Sequence, residues 1–329
     1  MNNKKMLGNL LLLLTAMIWG TAFVFQRVGM DSIEPITFNA ARMALAAVMV
    51  GALAFGLRQR HSKGVPRQSD AGASAPGTEV NVTRQAEESD LPWSHTWKGG
   101  ICCGLFLTAG SVFQQMGVVY TTAGKAGFIT AMYIVLVPLV GIFLKRKAGW
   151  KIWVSVALSV VGLYLLSMKP GDFTLGMGDL YVLLAAAAFA FQITAVDYYA
   201  ARVDNLWLAC MEFLVCGLIT LVFMLLFEHP TLSGILAAKW PILYAGVLSC
   251  GVAYTFQILG QRRTDPAVAS LIMSLESSIS VISGWLFLGQ EMSERELLGC
   301  LFMFAAIVIA QLPAPSRVIR NRRNNTGQC

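Results

Sequence analysis

The residues that could do chemistry are few and lie in unusual places. Arg42, Glu212 and Glu276 each sit inside a long apolar stretch, and Asp197 lies near the end of another. Charges at hydrocarbon depth are costly and face a bundle interior or a wet cavity, so each is a candidate for solute or proton binding. Arg42 and Glu212 fall at similar depths in their segments. They could pair with each other or hold the two ends of a zwitterion, while Arg42 could instead bond carbonyls at its helix end. Glu276 is a protonatable group that could couple a solute to proton movement, or it could form a fixed hydrogen bond to a neighbouring helix. Around these charges stand Trp19, Thr21, Asn39, Gln114, Gln115, Tyr133, Gln192, Tyr254 and Gln257. Amides and aromatic rings lining an apolar cavity suit recognition of a small polar solute, though any one of them could simply join two helices.

The elements that must hold these residues follow from composition. Of the 329 residues, 56% are hydrophobic and 13% charged, against about 25% charged in a soluble domain. The apolar residues fall in ten blocks: Leu7–Phe25, Pro35–Leu57, Gly99–Tyr120, Ala126–Leu144, Ile152–Met168, Leu180–Ala200, Leu206–Phe227, Ile242–Gly260, Val268–Leu288 and Leu297–Leu312. About 20 helical residues rise roughly 30 Å, the thickness of the hydrocarbon core. Backbone groups in lipid must be bonded within the segment, so these blocks are expected to be transmembrane helices. The first block is longer than the core of a typical secretion signal and reads as a retained span.

Charge placement orients them. With the N terminus in the cytoplasm, inner segments hold Lys4, Lys5, Arg58, Arg60, Lys63, Arg67, Arg84, Lys98, Lys145, Arg146, Lys147, Lys151, Arg202, Arg262, Arg263, Arg317, Arg320, Arg322 and Arg323. Outer loops hold only Arg27, Lys125, Lys169, Lys239 and Arg295. This is a strong positive-inside bias with both termini inside, as expected in the plasma membrane. The net charge of +7 is thus spread over alternate loops, not gathered into a nucleic-acid-binding patch. Membrane lipid and a small-molecule solute are the expected partners; monomer and homodimer both remain open. Residues 58–97, rich in Gly, Ser, Ala and Pro, read as a disordered cytoplasmic insertion. The sequon Asn81-Val82-Thr83 within it reads as a chance match, and 314–329 read as a basic cytoplasmic tail. The seven cysteines show no metal spacing and read as small packing residues. The three histidines fall in loops. No metal or cofactor is expected, and no nucleotide-binding loop points to ATP-driven work.

A shift of 143 residues aligns Trp97 with Trp240, Phe113-Gln114 with Phe256-Gln257, Gly117 with Gly260, Thr121 with Thr264, Ala126 with Ala269, Ile129 with Ile272 and Gly141 with Gly284. Glu276 falls on Tyr133. Five spans per half is odd, so the second half must enter the membrane in the opposite sense. The expected fold is all-α and integral to the membrane, with ten transmembrane helices as two inverted five-helix repeats. The first half comprises 1–57 and 98–169, and the second 170–313. Such inverted repeats place a site near the midplane, between the halves.

The chain resembles the EamA-type members of the drug/metabolite transporter superfamily over nearly its whole length outside the insertion. The resemblance is carried by Trp19-Gly20-Thr21-Ala22-Phe23, Pro35 with Arg42, Ala126 through Pro138, Ala267-Val268-Ala269-Ser270-Leu271 through Leu275-Glu276, and Gly284-Trp285-Leu286-Phe287-Leu288-Gly289. Ser277 stands where the family often has Pro, and Leu144 runs directly into Lys145 where it often has an acid. The resemblance implies a carrier of small organic solutes, amino acids or related metabolites, often an exporter, working by alternating access. A membrane-embedded enzyme acting on a lipid or isoprenoid is the alternative.

Overall fold

The computed structural model describes residues 3–64, 93–120, 123–146, 148–167, 176–288 and 293–312. In chain order the helices are α1 (Asn3–Gly29), α2 (Pro35–Gly64), α3 (Trp93–Tyr120), α4 (Ala123–Thr130), α5 (Tyr133–Phe143), α6 (Trp150–Ser167), α7 (Met177–Ala200) and α8 (Asn205–Phe227). They continue with α9 (Leu232–Ala237), α10 (Lys239–Leu243), a π-helical segment (Tyr244–Tyr254), α11 (Thr255–Gln261), α12 (Pro266–Met273), α13 (Leu275–Leu288) and α14 (Glu294–Gln311). Among the described residues, eight helical rods are long and apolar enough to cross a membrane: Lys4–Gly29, Pro35–Leu57, Trp93–Tyr120, Ala126–Phe143, Met177–Ala200, Asn205–Phe227, Lys239–Gln261 and Pro266–Ser283. The apolar stretch of α6, Trp150–Leu165, is shorter. Helix α14 carries Glu294, Arg295 and Glu296 in its first turn and is not among the eight.

Local sequence explains where several helices begin. Asp204 accepts from Leu206 N (2.9 Å) and Trp207 N (3.2 Å) to open α8. Asp265, followed by Pro266, accepts from Ala267 N (3.0 Å) to open α12. Ser293 and Glu296 cap α14 reciprocally. The start of α2 is different. Its cap comes from the far end of α8, where Glu228 accepts from Ile36 N (2.8 Å), Thr37 N (2.6 Å) and Thr37 Oγ1 (2.7 Å).

The major packing pairs are α3 on α7, α2 on α8, α6 on α14, α3 on α8 and α1 on α13, and the π-helical segment lies against α1 and α2. Small residues set the closest crossings. A Cβ on Gly117 would meet Gly178 O at 2.9 Å, and one on Gly260 would meet Gly8 O at 3.0 Å. Outward faces are apolar, with Leu218, Leu225, Phe227 and Leu301 exposed, as lipid contact requires. Trp93, Trp97, Trp150 and Trp240 are also exposed.

Three features depart from the expected elements. Helix α2 continues to Gly64 and α3 begins at Trp93, so both flanks of the 58–97 segment are helical. The rest of that segment, its sequon and the basic tail lie outside the described residues. The rods expected at Ala126–Leu144 and Val268–Leu288 are each interrupted, at Ala131-Met132 and at Ser274. The second break occurs without proline. Ser270 Oγ and Ser274 Oγ bond the carbonyls three residues back, at 2.9 and 2.8 Å, and Ser277 N reaches Ser274 O at 3.2 Å, which tightens the turn. Glu276 therefore sits in the first turn of α13 and not in mid-helix.

Candidate functional site

A partly open cavity lies inside the bundle. Each wall is a helical face. Trp19, Phe23 and Gln26 follow the i, i+4, i+7 stripe of α1, and Phe189, Gln192 and Ile193 the i, i+3, i+4 stripe of α7. Arg42 enters from α2, Gln114 from α3, and Thr130 and Tyr133 from the two sides of the first helix break. Ser249 and Tyr254 come from the π-helical segment, Gln257 from α11, and Glu276 from the turn after the second break. A π-helical turn shifts the register of the side chains beyond it, and such turns recur at functional sites.

The polar groups are held by defined bonds. Trp19 Nε1 donates to Ser249 O at 3.1 Å, and its ring lies 4.7 Å from that of Tyr254. Tyr133 Oη donates to Glu276 Oε1 at 3.0 Å. Gln114 Nε2 donates to Thr130 Oγ1 at 3.2 Å. Gln257 Nε2 donates to Gln192 Oε1 at 3.2 Å, and Gln192 Nε2 donates to Glu212 Oε1 at 2.6 Å. Arg42 is 4% exposed, and its Nε donates to Asn39 Oδ1 at 2.9 Å. Asn39 Nδ2 in turn donates to Ser111 Oγ at 3.0 Å.

Of the residues singled out in the sequence, Trp19, Arg42, Gln114, Tyr133, Gln192, Tyr254, Gln257 and Glu276 line this one cavity. Three do not. Thr21 turns to the other side of α1, where its hydroxyl meets Met17 O (3.0 Å) and Ser283 Oγ (3.3 Å). Asn39 and Glu212 are fully buried behind the wall, where they hold Arg42 and Gln192. Arg42 and Glu212 form no ion pair with each other among the described residues: Arg42 is engaged by Asn39 of its own helix and Glu212 by Gln192 of α7. Asp197 is bound at the bundle's end by Arg146, at 2.5 Å. Gln115, also considered, bonds Met30 Sδ at 3.0 Å and lines no part of the cavity.

Sequence reading missed Phe23, Gln26, Thr130, Phe189, Ile193 and Ser249. For Phe23, Thr130 and Phe189 a signal existed, since each lies three or four residues from a residue already singled out. Ser249 had none: it contributes through its backbone carbonyl, in a helical segment whose register only packing sets. Among the described residues no group of three or more His, Cys, Asp or Glu side chains could hold a metal. The described cysteines are unbridged, and all but Cys102 are buried.

Comparison with known proteins places this architecture. An uncharacterized transporter of Archaeoglobus fulgidus is 26% identical over 317 residues, covering 94% of this chain and 87% of that one. The uncharacterized inner membrane transporter YedA of Escherichia coli is 22% identical, covering 90% and 87%. A probable terminal-alkyne amino-acid exporter of Streptantibioticus cattleyicolor is 20% identical, covering 91% of each. A solved crystal structure shares the fold with a TM-score of 0.68, at 19% identity over 93% of this chain and 96% of that one. The sequence profile of the EamA-like transporter family matches residues 6–76, 80–168 and 176–311. The chain therefore belongs to the EamA-like transporter family of the drug/metabolite transporter superfamily, and it is a multi-pass secondary transport protein of the plasma membrane, not an enzyme.

Proposed function

We propose that the protein is a ten-helix carrier built from two inverted five-helix repeats, with both termini cytoplasmic, that exports an amino acid or a related small metabolite by alternating access. The reading is carried by one hydrogen bond. Tyr133 and Glu276 are 143 residues apart, the repeat shift, and they touch in the cavity wall. Under a two-fold relation, only residues beside the axis can touch their own equivalents. The cavity then lies on the axis between the halves, where inverted-repeat transporters hold their solutes.

Other details agree. Helix α4 ends at Thr130 and α12 at Met273, which is the same shift. The contact of α3 with α7 through Gly117 and Gly178 is matched by that of α11 with α1 through Gly260 and Gly8. Helix α6 and helix α14, which the ten-helix reading makes the last element of each half, pack together. The cavity's mixture of a cation, a carboxyl, amides and aromatic rings suits a small zwitterion. The name of the Streptantibioticus relative supports amino-acid export.

Counterflow in proteoliposomes tests this reading. Vesicles loaded with an unlabelled amino acid should accumulate the labelled one transiently, and empty vesicles should not. Equal accumulation by protein-free vesicles across the amino acids and simple metabolites would remove the carrier assignment.

A further inference from the structure

The two halves treat equivalent amides differently. A shift of 166 residues places Phe23-Val24-Phe25-Gln26 on Phe189-Ala190-Phe191-Gln192, and both phenylalanines and both glutamines line the cavity. Gln114 and Gln257 are equivalents under the 143-residue shift. Arg42 and Glu212 each stand seven residues after the first residue of α2 and α8. In the second half these groups are linked, Gln257 to Gln192 to the Glu212 carboxyl, with Gln257 Oε1 and Glu212 Oε2 left without a donor among the described residues. In the first half the chain is open. Gln114 turns to Thr130, and Gln26 Oε1 is buried without a partner. Arg42 spends only its Nε, on Asn39, and its two Nη groups find no acceptor among the described residues.

A guanidinium that is 4% exposed, with one neutral acceptor and the Phe38 ring 5.7 Å away, still lacks a counter-charge. Buried charges are normally paired, and the planar guanidinium matches a carboxylate in two-point geometry. The protein supplies a carboxyl to the second half and none to the first.

We infer that the Arg42 Nη groups, with the Gln26 and Gln114 amides that line the same cavity, form the subsite that binds the carboxylate of the transported solute. The solute's carboxylate fills in the first half the role that Glu212 fills in the second. The Gln26 and Gln114 side-chain N–H groups donate to it alongside Arg42. Tyr133 and Glu276, bonded to each other in the same cavity wall, are left for the remainder of the solute. The assignment rests on the carrier and repeat reading above and adds a required chemical group.

Thermal unfolding of the purified full-length protein in detergent tests it through ligand-dependent stabilisation. The probes are the twenty amino acids, simple mono- and dicarboxylates, the amines that lack the carboxylate of each amino acid, sodium chloride and sodium phosphate. Stabilisation should come from one or more carboxylates and not from the matched amines. The R42Q variant should bind those carboxylates roughly 10–100-fold more weakly, the loss of a charge-assisted contact. R42K should retain part of the affinity. If R42Q does not survive purification, Gln26→Leu carries the test, with weakening of roughly 5–10-fold.

Four results overturn the inference. Amines could stabilise as well as their parent amino acids. Chloride or phosphate could stabilise equally and displace the carboxylates, which would make this a site for an inorganic ion. The variants could keep wild-type affinity. No carboxylate could stabilise the wild type. Counterflow separates this from failure of the carrier reading: exchange of amines without exchange of any carboxylate sinks the subsite alone, whereas no exchange at all sinks the carrier.

Discussion

Gly20 lies where α1 meets the backbone of α13, beside two groups of the cavity wall. A Cβ built on it would fall 2.6 Å from Glu276 O, and 2.5 and 2.8 Å from Ile279 Cβ and Cγ2. Ordinary contact begins at 3.4 Å, so Gly20→Ala needs about 0.8–0.9 Å of separation. Neither a carbonyl oxygen nor a Cβ can swing aside, so the helices themselves must part. Trp19 limits that movement, being tied to Ser249 O and packed, with its ring tilted, against Tyr254. Overpacking of this kind costs about 1–3 kcal/mol. If half of the strain is carried by the Glu276 wall, solute affinity falls roughly 2–10-fold. Thermal unfolding and counterflow, measured on the same preparation, read the two parts. Gly56→Ala is the control, because nothing lies within 4 Å of a Cβ there, and alanine favours a helix by up to about 1 kcal/mol. Unchanged melting and unchanged exchange for Gly20→Ala would refute the close-contact reasoning.

Other expectations follow from particular contacts. Glu228→Ala should destabilise the protein by about 2–3 kcal/mol in thermal unfolding, since it strips three hydrogen bonds from the start of α2. Arg146→Ala breaks a pair whose arginine is 41% exposed and should change stability by less than about 1 kcal/mol. Exchanging Arg42 and Glu212 together should recover no more transport than either single swap, because the two are engaged separately; recovery in the double variant would show that they pair in another conformation. If Glu276 couples transport to protons, Glu276→Gln should keep the Tyr133 bond through its amide oxygen yet lose the wild-type pH dependence of uptake. An unaltered pH profile in that variant removes the coupling role.

The sequence carried the membrane class and the positions of the helices, because hydrocarbon forbids unpaired backbone groups and so writes its demand into long apolar blocks. It also carried the rarity of buried charge, which is why eight lining residues could be named from residue type and depth alone. Depth, however, does not specify azimuth. Thr21 is two residues from Trp19 and faces away, whereas Phe23 and Gln26, one and two turns further, face in. Glu212 has the depth of a cavity residue but lies one layer behind Gln192.

Those distinctions came from tertiary packing. The turn at Ser274 is closed by serine hydroxyls that could equally have served a straight helix, and the π-helical register at Ser249 follows no local residue preference. The cap on α2 comes from Glu228, 191 and 192 residues away in the chain. Arg42 could have met Glu212 on sequence grounds; packing gave each a different amide partner and left the Arg42 Nη groups without an acceptor among the described residues. Periodicity and hydropathy determine which segments enter the membrane, because those depend on each residue's own transfer energy. Which buried charge is satisfied, and which is left for a solute, depends on neighbours brought together from distant parts of the chain.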